Sequence, residues 1–196
     1  YREDHATTPL GAYGESKLAG EQAIRASGAR HAILRTAWVY ASHGKNFLLT
    51  MLRMAGEREE LRVVADQVGA PTPAAWIADA TAALIRQGVE TSGTWHLTAG
   101  GETSWHGYAQ FVIEWARLRG QAIKVAPDKI AAIPTSAYPT PAQRPLNSRL
   151  GTAKLKAGKA CWSLGTVARG GTRTVRLVAR AQRLTAPKSA TNTVTV

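Results

Sequence analysis

The sequence predicts an α/β architecture with at least a partly parallel sheet, and three observations carry that reading. Helical patterns alternate with short apolar strands over residues 8–126, the arrangement that brings strands side by side in the same direction. Hydrophobic residues make up 44% of the chain and charged residues 19%, enough for a packed core and against wholesale disorder. The length of 196 residues suits one domain of generous size, or one domain plus a fragment.

Taken in order, Thr8-Pro9-Leu10 predicts the start of a first helix, with threonine as cap and proline in the first turn, running to a stop at Gly28. His31 to Tyr40 reads as a buried strand leaving into a loop, because an apolar start passes into β-branched and aromatic residues. His43-Gly44-Lys45-Asn46 is loop. Phe47, Leu48, Met51, Leu52 and Met54 then fall at helical spacing, and Leu61 to Val64 forms a short strand. Asp66 to Thr72 is a loop with polar ends, and Thr72-Pro73 opens another helix through Trp76, Ile77, Ala80, Leu84 and Ile85. Thr94 to Thr98 alternates as a strand does. Ser104 opens a helix carrying Tyr108, Phe111, Val112, Trp115 and Leu118. The proline-rich stretch from Pro127 to Pro145 reads as irregular, and Thr152 to Leu155 as a last helical turn.

The net charge of +12 is unevenly placed. Residues 1–150 hold 16 of the basic residues and all 13 acidic ones, for +3, whereas residues 151–196 hold 9 basic residues and no acid. The body is therefore ordinary in charge. The expectation is no nucleic-acid partner, since a high pI that belongs to a tail is not a binding face. No apolar run approaches the roughly 20 residues of a membrane-spanning helix, so no membrane partner is expected either. The N-terminal residues lack a basic start and apolar stretch, which predicts no secretory leader. A single cysteine, Cys161, excludes an intrachain disulfide framework and fits a reducing, cytoplasmic setting; with no partner, it is expected to be inert. The five histidines show no metal-ligand spacing.

Tyr13-Gly14-Glu15-Ser16-Lys17 is the first string that carries chemistry. Residues four apart share a helix face, so a phenol and an ammonium project together. An ammonium beside a phenol favours the phenolate, and a phenol so placed serves as a general acid toward an oxygen whose carbon gains a hydride. Alone, the pair is equally compatible with a solvated helix face.

The surrounding residues are more specific. The string from Tyr1 through Tyr13 and Lys17 to Glu21 closely resembles dTDP-4-dehydrorhamnose reductases, which are extended short-chain dehydrogenase/reductases. The likeness continues in Leu34-Arg35-Thr36-Ala37-Trp38-Val39-Tyr40, in Gly44-Lys45-Asn46-Phe47, in Asp66-Gln67-Val68-Gly69-Ala70-Pro71-Thr72, and in Arg144 to Leu150. Five blocks in the right order cover about three quarters of the chain.

The resemblance implies the C-terminal, substrate-side portion of such an enzyme: an incomplete Rossmann-type sheet plus a small α/β substrate-binding subdomain, with a β-prone tail. It implies that Tyr13 and Lys17 are the catalytic pair, with Tyr13 giving a proton to the C4 oxygen of a dTDP-4-keto-6-deoxy sugar and Lys17 holding the nicotinamide ribose. The cofactor would be NADPH, or less often NADH. Thr36 and Val39 would join the pair around the cofactor, and Trp38 would line the floor near the sugar. Asn46, Gln67, Gly69, Pro71 and Thr72 would form the wall of the sugar-nucleotide site, Gly69 and Pro71 through the shape of their backbone. Arg144 and Asn147 would lie near the nucleotide, where arginine suits a pyrophosphate. Family members often form homodimers, sometimes with Mg²⁺, although no metal cluster is legible here.

Two departures qualify this. No Gly-rich phosphate turn follows a strand within the chain, so most cofactor contacts that the resemblance implies have no counterpart here. The chain by itself is accordingly expected to show negligible reductase activity, because positioning supplies much of the rate. After Lys156 the family's usual ending is also absent. Residues 1–156 therefore read as the partial reductase body and residues 157–196 as a basic, β-prone tail. This tail either faintly resembles the end of an Ig-like surface repeat of the DUF11 type or is a frameshifted end. The alternative function is a non-catalytic binding subunit of the same fold, as in the methionine adenosyltransferase regulatory subunit.

Overall fold

The computed structural model describes residues 1–87, 92–157, 172–177 and 190–195. The first helix, α1, spans Ala12–Ala26 and is followed by strands β1 (Ala32–Arg35) and β2 (Val39–Tyr40) and helix α2 (Phe47–Glu57). Short strands β3 (Leu61–Val64), β4 (Val68–Gly69) and β5 (Thr72–Pro73) lead into α3 (Ala74–Gln87). Then come β6 (Gly93–His96), β7 (Thr103–Ser104), α4 (Trp105–Leu118), β8 (Ile130–Ile133) and a single turn, α5 (Ala153–Ala157). Strands β9 (Thr172–Leu177) and β10 (Ala190–Thr195) pair antiparallel with each other. They fall within the tail, residues 157–196, that the sequence reads as β-prone; Cys161 lies outside the described residues.

Among the described residues three of the five strand pairs are parallel: β1 with β6, β2 with β5, and β3 with β8. β4 and β7 run antiparallel. The mixed α/β reading thus holds, and the parallel pairs match the expectation from alternating helices and strands.

Met51 and Ala55 of α2, Leu61 and Val63 of β3, Ala109 and Ile113 of α4, Val125 from the segment after α4, and Ile130 of β8 form one buried cluster. The spacing of Tyr108, Ala109, Val112, Ile113 and Ala116 gives α4 its buried stripe, and Ser104 caps it by accepting the Gly107 N–H at 3.0 Å. Asn46 caps α2 in the same way, accepting from Leu49.

Several local expectations are corrected. Thr8 is not a cap: α1 begins at Ala12 behind an uncapped Gly11, and Pro9 instead folds back against Gly14, where an added Cβ would sit 3.0 Å from the proline ring. The His31–Tyr40 strand is two strands, broken at Trp38. Thr72-Pro73 pairs as a strand, and its helix starts only at Ala74. The proline-rich stretch contains β8, since Ile130 and Ile133 find buried places beside β3 even though proline and short length hide the pattern.

Candidate functional site

Helix α1 presents Tyr13 and Lys17 one turn apart on an exposed face. The Lys17 ammonium lies 5.3 Å from the centre of the Tyr13 ring, within cation–π range. Tyr13 is 78% exposed, and among the described residues nothing hydrogen-bonds its hydroxyl or the Lys17 ammonium. One turn further on, Glu21 takes two hydrogen bonds from Arg35, at 2.8 and 2.7 Å, and one from Arg25 at 2.7 Å. The Arg35 hydrogen bond holds the Glu21 carboxyl below its ordinary range; burial opposes this, and Arg25 adds to it. Arg35 is the last residue of β1. The polar tie therefore anchors the Tyr13–Lys17 helix to the carboxyl end of a parallel strand, where open α/β sheets place their ligands.

Beyond Arg35 the chain kinks. Thr36 and Val39 are exposed on either side of Trp38, whose φ of 51° is left-handed. For a bulky side chain that conformation costs on the order of 1–3 kcal/mol and persists only where its surroundings impose it. Here they do. The Trp38 carbonyl accepts the Thr72 N–H at 3.1 Å. Its indole stacks on Trp105 with ring centres 3.6 Å apart and planes 10° from parallel. Beneath it lies Gly69, where any Cβ would fall 2.6 Å from the indole, so only glycine admits the ring.

Trp105 is itself held. Its Nε1–H donates to the Gln67 side-chain carbonyl at 3.1 Å, and the Gln67 amide donates to the Thr135 hydroxyl at 3.1 Å. Thr135 donates in turn to Asp66 from its hydroxyl at 2.6 Å and its backbone N–H at 2.9 Å. These bonds from Thr135 hold the exposed Asp66 carboxyl below its ordinary range. Gln67 is only 6% exposed. Phe47 packs 4.5 Å from the Trp105 ring, and Tyr108 lies 5.6 Å from Phe47. Among the described residues the buried Tyr108 hydroxyl has no hydrogen-bond partner, and burial pushes its phenol far above the usual range.

The remaining expected site residues divide. Thr72 is buried, donating to Ala70 and accepting from Ala99, so it ties strand to loop from below; Pro71 is half-buried beside it. The Asn46 amide is committed to its own loop, donating to the Ala41 and His43 carbonyls while its oxygen caps α2. Asn147 sits next to the wall through its bridge to Val68, and its side-chain oxygen accepts from Arg149 at 2.9 Å. Arg144 is exposed. The structure thus brings Trp38, Gln67, Gly69, Thr72 and Asn147 into one wall and leaves Tyr13, Lys17, Thr36, Val39 and Arg144 in solvent. Among the described residues, no group of His, Cys, Asp and Glu side chains could hold a metal ion. No described helix is long and apolar enough to cross a membrane.

A family model for the RmlD substrate-binding domain matches residues 1–163. The chain belongs to that family. It is 53% identical over 170 residues to a dTDP-4-dehydrorhamnose reductase of Shigella flexneri, covering 83% of this chain and 56% of that protein. To the reductase of Escherichia coli K12 it is 51% identical, with the same coverage. Among solved structures it resembles a dTDP-4-dehydrorhamnose reductase from Bacillus anthracis in complex with NADP. The TM-score is 0.72 at 34% identity, over 81% of this chain and 53% of that one. The chain thus spans about half the length of the curated relatives it matches. The RmlD-family match runs seven residues past Lys156, into the stretch that looks foreign on sequence grounds.

Three wall and anchor residues escape the sequence reading: Glu21, Trp105 and Thr135. Glu21 had a signal, being four residues beyond Lys17 on the helix face. Trp105 and Thr135 had none, because their roles exist only once α4 and the Pro134 turn come to rest beside Gln67.

Proposed function

We propose that this chain carries the proton-donating and sugar-nucleotide side of a reductase. The reaction would convert dTDP-4-dehydro-6-deoxy-L-mannose to dTDP-L-rhamnose in nucleotide-sugar biosynthesis. The observation that carries the reading is the exposed Tyr13–Lys17 pair, tied through Glu21 to the carboxyl end of β1, in a chain of this family.

The chemistry follows from these residues. A nicotinamide cofactor, NADPH or NADH, supplies the hydride when bound. Tyr13 and Lys17 fit its ribose end, since both polar heads are exposed and unengaged among the described residues; nothing in the sequence fits its pyrophosphate, for want of a glycine-rich turn. The Tyr13 hydroxyl donates a proton to the C4 oxygen as negative charge develops there. The Lys17 ammonium, 5.3 Å from the ring, stabilises the phenolate left behind. Trp38 lines the floor near the 6-deoxy sugar with the edge of its indole, since Trp105 and Gly69 take the two faces of the ring. Arg144 offers a bidentate cation to the diphosphate. Mg²⁺ has no place in this reading.

The test grafts residues 1–156 in place of the equivalent half of the E. coli relative and follows loss of nicotinamide absorbance with dTDP-4-dehydro-6-deoxy-L-mannose. Turnover is expected from the graft, and negligible turnover from the chain alone. In parallel, dTDP-L-rhamnose should quench the tryptophan fluorescence of the chain saturably. A graft without turnover, together with a chain that captures a synthetase partner and ignores dTDP-L-rhamnose, would replace this reading with the binding-subunit alternative.

A further inference from the structure

We infer that Trp105 is a positioning residue for Trp38, and that the Gln67–Thr135–Asp66 chain aims it. The inference rests on the substrate reading above only in what it says about binding; its structural part stands on geometry alone. Two indoles stacked at 3.6 Å and 10° are nearly parallel, so the plane of one dictates the plane of the other. Trp105 has a single hydrogen-bonding group, Nε1–H, and that group points at Gln67. Gln67 is buried with both ends of its amide engaged, so it cannot rotate without leaving a donor or acceptor unpaired. Thr135 is fixed by two donations to Asp66. A strained backbone at Trp38 makes such a support necessary, because a lone indole on a left-handed residue has other orientations open to it. Gly69 supports one face of the ring and Trp105 sets its tilt.

The experiment uses the full chain and two readouts. Stacked indoles couple their electronic transitions and give a couplet in the far-ultraviolet circular dichroism. Trp38 with Trp105 is the one such tryptophan pair among the described residues, and Trp38→Phe assigns the signal. Gln67→Met keeps length and apolar packing but removes both hydrogen bonds. Thr135→Val removes the hydroxyl, and Thr135→Ser restores it. The expected result is loss of at least half the couplet in Gln67→Met and Thr135→Val, with recovery in Thr135→Ser. The dissociation constant of dTDP-L-rhamnose should rise about tenfold in the first two variants and return to its starting value in the third. Retention of a cooperative thermal transition separates this from unfolding, and a variant that loses the transition is read against Thr135→Ser alone.

A full couplet in both Gln67→Met and Thr135→Val would overturn the inference. So would a lost couplet with unchanged affinity, which would make the stack a structural feature only. If the unaltered chain shows the couplet but ignores dTDP-L-rhamnose, the substrate reading fails, and the hold on Trp38 is then decided by the couplet.

Discussion

The helix that carries Tyr13 and the wall that carries Trp38 are built on opposite principles. No residue of α1 is buried, and it meets β1 and β6 through polar ties, Glu21 to Arg35 and Arg25 to Thr94. The wall instead leans on the buried cluster: Phe47 and Trp105 pack directly against it, and Trp105 passes that rigidity to Trp38. The proposed proton donor needs an accessible hydroxyl, and a cation one turn away is provided by helix geometry alone. The proposed binding wall needs several side chains from distant segments held at fixed angles, and only a packed core does that.

The sharpest way to break this contrast is Tyr13→Phe in the grafted enzyme. Turnover should fall about 10²–10⁴-fold, as loss of a general acid predicts, while the melting temperature of the chain stays put because the lost hydroxyl is exposed. The converse is Ile113→Ala, at 0% exposure in the middle of α4. It should cost about 2–5 kcal/mol in denaturant unfolding and leave Tyr13 and Lys17 untouched. Gly69→Ala comes next. Its methyl would fall 2.6 Å from the indole, so a loss of about 1–3 kcal/mol is expected, with a blue-shifted or diminished tryptophan couplet as its signature.

Glu21→Gln should cost about 1 kcal/mol, since it removes the charge from a partly buried pair and keeps one hydrogen bond. Its effect should appear on α1, as faster amide exchange there, and not on α4. Acidification sharpens the same distinction. Glu21 is held below its ordinary value of 4.5, chiefly by Arg35, so its contribution is whole above that value and is lost as pH falls further. His96 is held below its ordinary 6.5, chiefly by burial, so it folds neutral. The unfolded chain takes up that proton more readily, and stability should begin to decline as pH falls below about 6.5. Thermal melts from pH 7.5 to 4 should show that first decline in wild type and its absence in His96→Gln, where no proton is taken up.

Much of the fold could be read from residue order. α2, β3, β6 and α4 depend on local periodicity and on caps such as Ser104, which a sequence displays directly. Strand β8 could not, because Ile130 and Ile133 lie among prolines and become a strand only by pairing with β3. Nor could the break at Trp38, since nothing in Thr36-Ala37-Trp38-Val39 announces a positive φ.

At the site the division is the same. The sequence by itself determined the Tyr13–Lys17 pair, because two residues four apart on a helix meet whatever surrounds them. It also determined the glycine at position 69, without its reason. Tertiary structure alone decided that Asn46 spends its side-chain oxygen on a helix cap and its amide N–H groups on its own loop, and that Thr72 works from below the wall. It alone placed Trp105 and Thr135 with Gln67. Those contacts join residues 38 and 68 positions apart, and no local rule relates side chains that only a common core brings together.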